Sequence, residues 1–575
     1  MAARLTTYFV VGIVAATLIA GLIVGAQRDD SEGPVDLIVY NGKVYTADAS
    51  GSMAEAVAVR GNQILRVGSN REINRLRRPQ TVVVDALGAA VLPGFNDASA
   101  RFIDGGVAID SVDLFDAVTI DEIQARIRTW AEAHPDRPWI VGRGWDDVAF
   151  SAGPTRQLLD AAVADRPAYI LSRDGHAAWL NTKALERAGI TGHTTPPADG
   201  VIVKEPRGAP AGLLKGTAIT LASRVVPQAT RADRVRGLRR AIEEAHRHGV
   251  TSVQDTIAPG DFVVYDETRR AGDLNLRIYS SIDVDGVPES ATFNQLATLS
   301  SKYPDDPIFK MGGAKIALDG PVESLGAALL QPYEDRPEDD GPHRVDPDVF
   351  NRFVRLLDAR GWQITAEASG DRAVRMALDA FEHAARSNPA PERGRRHRVE
   401  GIELVDAVDL PRFGRLGALA TVHPPFANPS AERLDAWTRA VGAERAPRAW
   451  PAGSIVSARG KLAFGSGWPG APLNPMAAID LAVNRTTIEG LRDGGSPDPE
   501  RVSLKRAIDA LTSVPAYASF DEQRKGSLKK GMLADLVVLS SDIFDSSRAR
   551  LAGTAVAVTI FDGKIVYQRT ATSTN

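Results

Sequence analysis

Apolar residues along this chain gather in short runs separated by polar turns and amphipathic stretches, and eight of those runs read as strands. They are VLPGFND from Val91, VTSVQD from Val250, LRIYSSID from Leu276, FKMGGAKIALDG from Phe309, WQITAEAS from Trp362, HRVEGIEL from His397, LGALATVHP from Leu416 and KLAFGSGWP from Lys461. Several are followed by helical patterning, as in DRAVRMALDAFEHAARS from Asp371, where apolar residues fall three and four apart. Strands alternating with helices predict an α/β protein built on a (β/α)8 TIM-like barrel, placed over residues 92–499.

One connection breaks the rhythm, because the first run ends at Asp97 and the second begins at Val250. That is too much chain for one βα unit, so residues 104–232 are expected to form an inserted subdomain over the barrel mouth. Near the chain ends, DLIVYNGKVYTAD and AVAVRGNQILRVGS carry Asn-Gly and Gly-Asn turns, and GMLADLVVLS and VAVTIFDGKIVYQ have the same strand character. Residues 34–91 and 500–575 are therefore expected to share a small β-sandwich domain.

Tyr8 to Ala26 is an uncharged apolar run of bilayer-spanning length. Arg4 before it, and Asp29, Asp30 and Glu32 after it, predict N-in, C-out insertion. Residues 1–33 are thus expected to be a signal anchor holding the body to a membrane on the extracytoplasmic side. Small residues at Val24 and Ala26 also fit a signal-peptidase site, the alternative being secretion after cleavage near Ala26.

Composition narrows the chemistry. A net charge of -4, from 68 basic and 72 acidic side chains, gives no general nucleic-acid surface. The chain has no cysteine, which excludes disulfides, thiolate zinc sites and a cysteine nucleophile; any metal would need His and carboxylate ligands.

Functional side chains of such a barrel sit at the C-terminal strand ends. Those positions are Asp97 to Arg101, Asp255, Asp283, Lys315 with Asp319, Glu367 with Asp371, Gly401, His423 and Gly467.

DLIVYNGKVYT, PGFND, DGHAAWLNTKALERAGI, GLLKGTA, GVTSVQD, GAKIALDG, SGDRAVRMALDAFEHA, PRFGRLG, FGSGWP, GSLKKGMLADLVVL and FDGKIVY occur in that order. In this the sequence resembles the amidohydrolase superfamily, specifically amidohydrolase family 3, the group containing N-substituted formamide deformylase-like proteins. The resemblance implies zinc or another divalent metal activating water against an amide, formamide or related carbonyl carbon. It also implies a ligand pattern: HxH after the first strand, a lysine on the fourth that can be carboxylated, histidines after the fifth and sixth, and an aspartate after the eighth.

Laid on this chain, the pattern is degenerate. The HxH falls on Ser99 and Arg101, the fifth-strand histidine on Glu367, the sixth on Gly401 in RVEGIEL, and the eighth-strand aspartate on Gly467. Serine is a weak ligand, guanidinium repels metal, and glycine offers no side chain. Only Lys315 is unchanged, and without metals to bridge it is expected to be a plain ammonium. His246 and His248 form an HxH within a helical pattern, where residues two apart do not share a face.

Pocket positions are expected at Asp97, His176, Asp319, Asp371, His423 and Trp468; His176 either faces the mouth or starts a helix by bonding to backbone. Two functions follow. One is a membrane-anchored pseudoenzyme, with no metal or other cofactor, that binds or scaffolds a protein partner or small-molecule ligand. The other is a hydrolase of amide or formamide C–N bonds working through His176, Lys315, Glu367, Asp97 or Asp319. In the first, Arg101 is expected to stand in for the metal and pair with Glu367, Asp319 or Asp97.

Overall fold

Eight parallel strands form the central sheet of the protein, here described by a computed structural model. They are β1 (Phe95–Ala100), β2 (Val250–Ile257), β3 (Arg277–Val284), β4 (Phe309–Ala317), β5 (Gln363–Glu367), β6 (Arg398–Glu400), β7 (Leu419–Val422) and β8 (Lys461–Phe464). Each pairs with its neighbour in chain order. The structure describes residues 34–570 apart from 116, 147–148, 151–152, 174, 199, 285–289, 425–430, 487–498, 546–550 and 552. The apolar run from Tyr8 to Ala26 lies outside these. Among the described residues no helix is long and apolar enough to cross a membrane.

The strands form because their apolar runs are covered on both faces, as parallel sheets require; β2 is buried at every position. The helix Asp371–Ser387 turns Ala373, Val374, Ala377, Leu378, Phe381 and Ala384 to the core, following the three-and-four spacing of its sequence. The sheet is nearly closed. No ladder joins β8 to β1, but the Gly467 N–H reaches the Ser99 carbonyl at 2.9 Å and the Arg101 N–H reaches the Trp468 carbonyl at 2.7 Å. This seam lies at the mouth, and it makes Gly465 obligatory: a Cβ there would stand 2.6 Å from Ser99 Cβ and 3.2 Å from the His423 ring.

The first predicted run divides. Ala90–Pro93 belongs to a six-stranded sheet outside the barrel, and only Phe95–Ala100 enters it. Gly94 makes the break, its N–H bonded to Asp535 O at 2.9 Å, and a Cβ added there would collide with the Thr251 side chain. In that outer sheet, strands Lys43–Tyr45 and Ala90–Pro93 lie beside Leu536–Leu539 and Val556–Phe561 from the other chain end. A four-stranded sheet within residues 37–85 shares a buried cluster with it, including Val39, Val57, Val91, Leu536, Val538 and Ile560. Between β1 and β2 the chain builds another six-stranded sheet, from Val112–Asp113 to Pro210–Gly216, with its own buried cluster around Trp145, Ile170 and Trp179.

At the end opposite the mouth, Arg277 at the start of β3 is clasped by Asp535 at 2.6 and 2.9 Å and by Asp562 at 2.8 Å. Arg277 is fully buried, so this charge cluster ties the barrel to the outer sheet.

Candidate functional site

Register decides which side chains meet at the mouth. Glu367 ends β5 and lies directly opposite Glu400, which ends β6. Like charges in that position repel. Lys315, from β4, answers both: its Nζ lies 2.9 Å from Glu367 and 2.6 Å from Glu400. The Ser99 hydroxyl donates to the same Glu400 oxygen that Lys315 holds. Arg398, inside the barrel, approaches the other Glu400 oxygen at 3.7 Å while bonding to Gln254 at 2.6 Å and Thr421 at 3.1 Å. His423 Nε2 stands 3.9 Å from Glu400.

The charges adjust to one another. Burial works against the Glu400 anion, but Lys315 and Arg398 outweigh it and hold its pKa at about 2. Lys315 lowers the pKa of Glu367. Burial likewise opposes the Lys315 cation, yet the two glutamates raise its pKa above the usual lysine value, so it is an ammonium. Burial pushes the His423 imidazole down, leaving it neutral at neutral pH.

Arg101 does not take the central position. Its Nη1 bonds to Asp283 at 2.8 Å, with the two side chains 44% and 35% exposed. The expected partners are all otherwise engaged. Glu367 is held by Lys315. Asp97 accepts the N–H groups of Ser99 at 3.0 Å and Ser466 at 2.9 Å, stapling the barrel seam. Asp319 accepts N–H groups from Ala328, Ser369 and Gly370 at 2.8 to 2.9 Å, fixing the loop after β4. Asp283, in register with Lys315, is the strand-end carboxylate left for Arg101.

Of the positions picked out from the sequence, the structure gathers Ser99, Lys315, Glu367 and His423 around one carboxylate, with Arg101 beside them. The others serve elsewhere. Asp371 opens its helix and accepts the Leu330 N–H at 2.8 Å. Trp468 is a buried wedge against Phe102, ring centroids 5.5 Å apart. Gly401 and Gly467 are turns with φ of 77° and 66°. His176 immediately precedes the strand Ala177–Leu180 of the inserted sheet, and its carbonyl accepts the Gly216 N–H at 3.0 Å. His246 bonds to the Asn275 carbonyl at 2.7 Å, a packing role. Asp255 accepts from Tyr265 at 2.6 Å and from the Phe102 N–H at 2.7 Å.

Sequence reasoning passed over Glu400 and Arg398. The signal for Glu400 was present, since it is the acidic neighbour of the position where the resemblance expects a histidine.

These residues do not fit the metal that the resemblance implies. Two carboxylates and a histidine are near one another, but a lysine ammonium stands between the carboxylates and claims both. Among the described residues no group of three or more His, Asp or Glu is arranged to hold a metal ion.

Comparison with known proteins places the scaffold. Residues 82–567 match the amidohydrolase family model. The chain is 30% identical to Protein LONG AFTER FAR-RED 3 of Arabidopsis thaliana, over 92% of this chain and 91% of that one. It is 28% identical to the putative amidohydrolase YtcJ of Bacillus subtilis, over 92% and 99%. With the N-substituted formamide deformylase of Arthrobacter pascens the identity is 27%, over 93% and 99%. The fold is also that of an uncharacterized metal-dependent hydrolase from Pyrococcus furiosus, at 24% identity and a TM-score of 0.67 over 87% of this chain and 97% of that one. The eight-stranded barrel, the order of its motifs and a match running through most of the chain lead to one conclusion: the protein belongs to the amidohydrolase family.

Proposed function

We propose that this member keeps the amidohydrolase scaffold for binding and does not hydrolyse amide or formamide C–N bonds through a metal-activated water. The observation that carries this is the Lys315 ammonium held between Glu367 and Glu400. Hydrolysis of that kind needs an electrophilic metal and a base for the water. Here Lys315 is protonated and Glu400 has a pKa of about 2, too acidic to take a proton at neutral pH. Ser99 gives its hydrogen bond to that same weak base, which leaves it poorly activated as a nucleophile. Asp97 and Asp319 are occupied by backbone N–H groups.

The part of the mouth that meets solvent is the Arg101–Asp283 pair together with Glu367, a mixed-charge surface suited to a small polar ligand or a protein partner. The apolar run from Tyr8 to Ala26 is the basis for a membrane-anchored body on the extracytoplasmic side.

The test is a panel of N-substituted formamides and N-acyl compounds assayed with full-length protein, with and without added zinc or manganese. No turnover above a heat-denatured control is expected. Turnover that rises with metal and disappears with chelator would sink the proposal. Membrane fractions from the same preparation should retain the protein after a high-salt wash, and release by salt alone would refute the anchor.

A further inference from the structure

The resemblance calls for a divalent ion where this chain has placed a charge of its own. We propose that the Lys315 ammonium is the built-in cation of the barrel mouth, replacing the metal as the tie between the ends of β4, β5 and β6 and closing the site both to divalent ions and to carboxylation of the lysine. This goes beyond the absence of hydrolysis, because a mouth could bind ligands with or without a metal in it.

Three observations carry the inference. First, Glu367 and Glu400 are direct cross-strand neighbours, a placement of like charges that needs a cation between them. Lys315 supplies it at 2.9 and 2.6 Å from a side chain only 8% exposed. Second, Glu400 is already committed to groups of the chain: Ser99 and Lys315 share one oxygen, and the Arg398 guanidinium stands 3.7 Å from the other. An incoming ion would have to displace an ammonium that is tethered to the chain. Third, carboxylation would turn Lys315 from a cation into an anion and set a third negative charge against two carboxylates. Lys315, Arg398 and Arg101 face Glu367, Glu400 and Asp283, and turning the lysine negative would leave the carboxylates in clear excess.

Taking away the ammonium leaves two facing carboxylates with His423 Nε2 at 3.9 Å from Glu400, a group of oxygen and nitrogen donors attractive to a divalent cation. Loss of Lys315 should therefore open the mouth to metal.

The experiment uses the full chain in detergent. Metal content is measured by elemental analysis, carbon dioxide on Lys315 by native mass spectrometry, and thermal unfolding with chelator, zinc chloride or manganese chloride. Wild-type protein is expected to carry substoichiometric metal and no carbon dioxide, and to melt at the same temperature in all three conditions. Lys315→Ala is expected to melt several degrees lower and to recover part of that loss when either metal is added, whereas Lys315→Arg keeps a cation and stays insensitive to metal. Stoichiometric metal or a carboxylated lysine in the wild type would overturn the proposal, and those measurements stand even if Lys315→Ala does not fold. It would also be overturned by a Lys315→Ala melt equal to wild type, or by a lowered melt that neither metal raises. Turnover by metal-free protein would refute the non-hydrolytic reading alone and leave this inference intact.

Discussion

Glu400 governs the mouth, although only its neighbour Gly401 attracted notice in the sequence. A strand-end glutamate next to a missing histidine looks like background until register shows it opposite Glu367. The partner of Arg101 was illegible for a related reason. Sequence spacing cannot tell that Lys315 claims Glu367, that Asp97 staples the seam and that Asp319 is taken up by a loop, leaving Asp283. The pH response of Glu400 follows from its folded pKa of about 2. That is below the unfolded value of ~4.3, so its contribution is fully present above about pH 4.3 and is lost as pH falls toward 2. Asp97 and Asp319 act in the opposite sense, because burial raises them to about 6 and about 7. Each therefore weakens the fold as pH rises from ~4 through its folded value. Stability should accordingly peak on the acid side of neutrality. Replacing Glu400 by Gln should cost ~2–4 kcal/mol at neutral pH, since it strips the buried Lys315 of its closer partner, and should flatten the acid limb. Urea unfolding across a pH series checks both, and an unchanged acid limb in the variant would show that other carboxylates set it.

At the scale of elements, the barrel strands were legible because parallel strands covered on both faces must be apolar throughout, and a short apolar run bounded by turns records that. The seam was not legible. It consists of individual bonds after β8 and around Asp97, with no ladder and so no periodicity to read. The division of the first run was also hidden, because Pro93 and Gly94 move the chain from one sheet to another without interrupting its apolar character. Arg277 likewise gave no local sign that it would be clasped by Asp535 and Asp562, more than two hundred positions away. Its guanidinium is buried and bonded to Asp535 through two nitrogens, so Arg277→Met should strand a buried Asp535 and destabilise the protein by ~3–5 kcal/mol. Chemical denaturation measures this. A double variant that also replaces Asp535 with Leu should recover part of the loss, and failure to recover would mean that packing, and not the unpaired charge, dominates.

Over the whole molecule, the match to the amidohydrolase family runs through residues 82–567, while the positions where the resemblance expects metal ligands carry Ser99, Arg101, Glu367, Gly401 and Gly467. Homology therefore gives the fold and leaves the reaction to the residues at the mouth, because a fold survives substitutions there that a coordination shell does not. The proposed loss of metal chemistry can be tested by trying to reverse it. Putting histidines back at positions 99, 101 and 367 by Ser99→His, Arg101→His and Glu367→His restores three donors but leaves the Lys315–Glu400 pair in place at 2.6 Å. It also leaves positions 401 and 467 as glycines, so neither the sixth-strand ligand nor the eighth-strand acid returns. Refilling position 401 meets a backbone obstacle. The space is open, since a Cβ added there would have Glu367 Cγ as its nearest neighbour at 3.5 Å, but φ is 77°, where any L side chain is strained by ~1–2 kcal/mol. The triple variant is thus expected to bind zinc weakly, below one ion per chain, and to show no zinc-dependent formamide hydrolysis. Elemental analysis and a turnover assay on the same protein decide it. Near-stoichiometric zinc with measurable turnover would mean that the mouth is one short step from its relatives' chemistry, and that the Lys315–Glu400 pair gives way to a metal far more readily than its geometry implies.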